Sequence, residues 1–120
     1  MSDEQFQYLV DQALETLPEE FKTLLNSIAI VVQDEPDAEQ RQSVNLSSHM
    51  NLFGLYQGVP LTKRAGSLLT FPDKITIFKN PILATRFSPE EVQEQVRLTV
   101  LHEIGHYLGL SEEKLRQLRY

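Results

Sequence analysis

Cysteine is absent from the 120 residues, which excludes disulfides and thiolate metal ligands and leaves imidazoles and carboxylates as the donors for any metal. No apolar run approaches the ~20 residues of a membrane span, so a membrane partner is not expected. Basic residues are in deficit: 11 Lys and Arg stand against 17 Asp and Glu, giving a formal charge of −6 and a pI near 5.0. That balance opposes binding to a phosphate backbone, and no nucleic-acid partner is expected. The start, MSDEQFQYLVDQAL, is acidic and lacks the apolar core of a signal peptide, which points to the cytoplasm. Repeats, low-complexity tracts and shifts in composition are also missing. A chain of 13.8 kDa with 41% hydrophobic and 23% charged residues reads as one globular domain over residues 1–120. It is large enough for a core but too small for the second lobe that walls off the cleft of larger enzymes. A shallow site is therefore expected.

What is present falls into short elements. Phe6, Leu9, Val10, Ala13, Leu14 and Leu17 recur at helical spacing, predicting an amphipathic helix over Asp3–Leu17 that Pro18 interrupts. A short helical turn follows to Leu25. Ser27 to Gln33 (SIAIVVQ) is β-branched enough for a buried strand, and DEPDAEQRQS after it reads as a solvated loop. Met50 to Tyr56 and Ser67 to Phe71 are expected short strands, separated by a Gly58-Val59-Pro60 turn and a Lys63–Gly66 loop. Lys74 to Lys79 (KITIFK) is a strand ahead of Asn80-Pro81. We expect it to be an exposed sheet edge that pairs with an extended substrate, although an internal strand covered by a helix fits the sequence about as well.

The functional information is concentrated in LHEIGHYLGL, Leu101 to Leu110, where His102, Glu103 and His106 stand in the order His-Glu-x-x-His. Three His and twelve Glu in this chain would give that order in a shuffled sequence with a probability of roughly 0.005, so its context has to decide. The context is a helix. Ser88 can be its N-cap, Pro89 suits the first position, Glu91 completes a capping box, and Gly109 stops it. At about 100° per residue His102 and His106 project about 40° apart, near enough for both imidazoles to reach one ion, with Glu103 beside it. Glu91, Gln95, Leu98 and Thr99 share their side. Val92, Val96, Val100, Ile104, Tyr107 and Leu108 cover much of the rest, so the histidine end is expected to be buried. A lone His is more often satisfied by a carbonyl or water, and a lone Glu is more often solvated. Two His flanking a Glu on a buried helix favour Zn²⁺ bound by His102 and His106 with Glu103 free as a base.

A catalytic zinc needs a third protein ligand and an open position for water. In HEIGHYLGLSEEKL the spacing after His106 matches the extended zinc motif with a carboxylate in place of its last His, and Gly109 lets the chain reverse. Glu112 is the preferred third ligand. Glu113, His49, Asp73 or water remain alternatives, because Ser111 reads as the N-cap of a last helix and acidic residues favour a first turn without any metal. Tyr56, His49, Arg64 and Tyr120 are possible transition-state stabilisers with no spacing argument behind them.

These residues resemble a family, the small bacterial zincin-like metallopeptidases. The resemblance rests on HEIGHYLGLSEEKL, on LFGLYQGVPLTKR from Leu52 to Arg64, and on PDKITIFKNPIL from Pro72 to Leu83, in that order along almost the whole chain. It implies a compact mixed α/β domain of the α+β class, a small sheet packed on the motif helix, with an N-terminal helix and a short C-terminal one. It also implies one zinc held by His102, His106 and the acidic residue after the Gly, with Glu103 catalytic. The family usually carries Asp where this chain has Glu112. The expected reaction is hydrolysis of a peptide or a partly unfolded protein segment, with Glu103 taking a proton from the attacking water. The alternative is a non-catalytic zinc-binding module that keeps the site and holds a protein partner.

Overall fold

The computed structural model describes residues 1–44, 52–58 and 73–118. The expected Ser67–Phe71 strand, the Lys63–Gly66 loop, residues 59 and 60 of the Gly58-Val59-Pro60 turn, the first two residues of the Met50–Tyr56 strand, and His49, Arg64 and Tyr120 lie outside them. The described elements are α1 (Asp3–Glu15), α2 (Glu19–Leu24), a 3₁₀ turn (Leu25–Ser27), β1 (Ile28–Gln33), α3 (Ala38–Ser43), β2 (Gly54–Gln57), β3 (Asp73–Phe78), α4 (Lys79–Thr85), α5 (Pro89–Tyr107) and α6 (Glu112–Gln117). This is the α+β class expected.

Helix α1 begins where Ser2 and Gln5 cap each other's backbone amides, and Thr16 closes it. Its apolar stripe is buried as the spacing predicts: Phe6, Leu9, Val10 and Ala13 enter the core, joined by Leu17 just beyond the helix. They meet Val92, Val96, Val100, Leu101, Ile104 and Tyr107 of α5, and Ile75 and Ile77 of β3. Burying such side chains contributes roughly 1.5–3 kcal/mol each.

The sheet order is β1-β3-β2, with β1 parallel to β3 and β2 antiparallel to it. KITIFK is thus an internal strand, and its reading as the exposed edge is corrected. Ile75, Thr76, Ile77 and Phe78 are all buried, on both faces, which a central strand requires and an edge does not. Among the described residues the edge towards α5 is β2. The polar segment after β1 is also more ordered than expected. Asp37 caps α3 reciprocally with Gln40, and Gln40 is buried in a paired amide contact with Gln33, at 2.8 and 3.2 Å. Past β3 the chain enters α4 directly. Pro81 is its third residue, where a missing N–H costs no intrahelical bond.

Candidate metal centre and catalytic cleft

Helix α5 positions the motif. Ser88 accepts from the Glu91 amide at 3.1 Å and Pro89 takes the first position. At the other end Gly109 has φ 86°, the left-handed conformation that favours glycine. The Gly109 amide donates to the His106 carbonyl and the Leu110 amide to the Gly105 carbonyl, both at 2.9 Å. This pair of bonds is a Schellman turn, and it satisfies the carbonyls that a helix end leaves orphaned. The chain therefore reverses where the sequence predicted it, and Ser111 caps α6 by accepting from the Lys114 amide at 3.1 Å.

The reversal carries Glu112 back over the histidine face. Its Oε1 lies 3.0 Å from His102 Nε2 and 2.7 Å from His106 Nε2, and the two rings stand 4.9 Å apart at 79°. The candidate ligand atoms all fall within 4.8 Å of one another. Donors about 2.0–2.1 Å from a tetrahedral zinc sit roughly 3.3 Å apart, so the two carboxylate–imidazole contacts open and the widest donor separation closes, by up to roughly 1.5 Å, when an ion enters the cluster. A single carboxylate oxygen facing two imidazole nitrogens is also the donor set, two His and one Glu, of catalytic zinc sites. Glu113 is exposed and does not join the cluster. Asp73 is engaged elsewhere, accepting from the Tyr56 hydroxyl at 2.7 Å.

Glu103 is not the solvated helix residue that its type alone would favour. It is buried among α5 and β2, and its Oε1 accepts from the backbone amide of Tyr56 at 2.9 Å. Burial pushes its carboxyl above the usual range, opposed by the nearby His106 and His102 and by the Tyr56 amide, while the Glu112 charge raises it further. Burial also acts to raise Glu112. There the His102 hydrogen bond, together with the charges of both histidines and the His106 bond, wins, and the carboxyl titrates below its usual range. Two carboxylates lining the same cleft are pushed in opposite directions, the arrangement expected where one group handles protons and the other holds a cation.

Sequence reasoning missed the role of Tyr56. The residue acts through its amide rather than its hydroxyl, which is turned to Asp73, and its ring packs edge-on against Tyr107 at 5.8 Å. The separation of Tyr56 from Glu103 is 47 residues, and no local pattern reports such a contact. Close approach of β2 to α5 depends on Gly54, where a Cβ would come within 2.4 Å of Thr99 Cγ2. A cleft of about 700 Å³ runs between the two elements, lined by Leu52, Phe53, Gly54, Tyr56, Leu98 and Thr99, and by His102, Glu103, His106 and Glu112. Among the described residues no helix is long and apolar enough to cross a membrane.

A family model for zincin-like metallopeptidases matches residues 25–120, most of the chain. No curated protein matches it significantly. Among solved structures, the chain is similar to a conserved hypothetical protein from Thermo thermophilus, with a TM-score of 0.58 and 23% identity, covering 90% of this chain and 94% of that one. At that identity the likeness is one of fold. With the family match added to the two histidines and the carboxylate that converge beside the cleft, the chain belongs to the zincin-like metallopeptidases.

Proposed function

We propose that the protein is a zinc-dependent peptidase in which His102, His106 and Glu112 hold the metal and Glu103 is the general base. The observation that carries this reading is the convergence of Glu112 Oε1 on both Nε2 atoms at 2.7 and 3.0 Å, in a cleft that Glu103 also lines. Zinc held there supplies Lewis acidity, which polarises a substrate carbonyl and lowers the pKa of water towards ~7. Glu103 takes a proton from the water as its oxygen bonds to the carbonyl carbon, and returns that proton to the amine as the C–N bond breaks. Burial favours this use, because a raised carboxyl pKa lies nearer the working pH.

The substrate is an extended peptide or an unfolded protein segment lying along β2. Phe53 O accepts from the Phe78 amide at 2.9 Å, so by the alternation of antiparallel ladders Gly54 and Tyr56 turn their peptide groups away from β3. Glu103 uses the Tyr56 amide. The Gly54 amide and carbonyl then suit a pairing chain.

The test is metal-dependent cleavage. Metal-depleted protein should take up one zinc per chain, and His102→Ala and His106→Ala should each lose it. The zinc-loaded protein should cleave a pool of unstructured peptides, stop on chelation and resume when zinc is restored. Full zinc uptake without cleavage of any peptide would instead favour a non-catalytic zinc-binding module.

A further inference from the structure

Helix α6 spans six residues and buries one of them, Leu115, which is fully inaccessible. The ligand candidate it carries, Glu112, has a side chain 57% exposed, so packing around Glu112 itself does little to fix it. The contact that does is underneath. Leu115 lies against Gly105, the residue before His106 on α5. A Cβ built on Gly105 would come within 2.2 Å of Leu115 Cδ2 and 3.2 Å of its Cγ, the first distance being far inside van der Waals contact. The same glycine's carbonyl accepts the Leu110 amide that closes the turn between the helices. Gly105 therefore touches the α5–α6 junction twice, through its bare Cα and through its carbonyl.

Glycine inside a helix is less favourable than alanine, because it loses more backbone freedom on folding. Helix formation alone disfavours it at this position, and the close seat of Leu115 is what requires it. We propose that Gly105 and Leu115 are positioning residues for the metal site: the absent side chain of one lets the other seat α6 deeply enough for Glu112 to reach the imidazole nitrogens. The proposal rests on Glu112 being the third ligand. Neither residue touches the metal or the substrate; both act through Glu112.

The experiment is a zinc-affinity cycle, read by competition with a chelator, with thermal unfolding of the zinc-free proteins alongside. Gly105→Ala should lower zinc affinity by roughly 10–100-fold, the range found when groups supporting metal ligands are altered. Adding Leu115→Val, which moves one carbon from residue 115 to residue 105 and removes the clashing Cδ atoms, should recover much of that loss. In a Glu112→Ala background, Gly105→Ala should change affinity little further. Unchanged affinity in Gly105→Ala would overturn the proposal. So would an equal loss in the Glu112→Ala background, since the substitution would then act on the histidines. Failure of the reading beneath it is separately visible: Glu112→Ala alone would bind zinc like the parent, or Glu113→Ala would weaken zinc as strongly.

Discussion

Glu103 carries an electrostatic cost, because burial disfavours its charged form. Its carboxyl is buried, accepts from the Tyr56 amide, and is held above its ordinary range by desolvation. A group whose pKa is raised by folding favours the folded state when protonated. That stability is fully present below the unfolded pKa of about 4.3 and is lost as pH rises through the folded value. Glu103→Gln keeps an acceptor for the Tyr56 amide and removes the charge. The metal-free variant should therefore melt at a higher temperature than the parent at pH 7, and the gap should close as pH falls to about 4. Thermal unfolding at several pH values checks this, and a lower melting temperature at pH 7 would contradict it. His102, Glu103 and His106 were legible in the sequence because their relation is one of helical spacing within five positions. Glu112 was legible because Gly109 fixes the turn before it. Tyr56 was not, since its contact with Glu103 depends on how β2 lies against α5.

At the scale of elements, the site is the space between α5 and β2, and Gly54 sets its width. A side chain there would meet Thr99 Cγ2 at 2.4 Å and the Thr76 carbonyl at 3.2 Å. Gly54→Ala should therefore destabilise the protein by about 1–3 kcal/mol, the usual cost of overpacking, and lengthen the contact between Tyr56 and Glu103. Urea unfolding measures the first effect, and a wild-type midpoint would show that β2 moves aside freely. Two features of the fold were hidden from the sequence. KITIFK carries lysines at its ends, as an edge strand often does, but lies between β1 and β2 because strand order is a property of the whole sheet. Helix α3 was hidden by polarity. Its single buried residue, Gln40, is held by Gln33 across the turn rather than by an apolar stripe. By contrast α1 and α5 follow from capping residues and an apolar period that act locally, and both form close to where the sequence predicts.

The whole molecule is built around one helix. Helix α5 gives its apolar faces to α1 and the sheet and its remaining side to the cleft, so the same nineteen residues supply part of the core, two of the three candidate metal donors and the candidate base. The cleft between α5 and β2 offers limited surface with which to hold a substrate, and weak turnover is expected because binding energy is what positions a peptide against the reacting groups. The most direct measurement of the central claim is cleavage of an unstructured peptide pool by zinc-loaded parent and zinc-loaded Glu103→Gln, with zinc content determined on both. The account predicts equal zinc and a loss of cleavage of about 10²–10⁴-fold in the variant, the usual effect of removing a general base. Equal cleavage by the two proteins would contradict it.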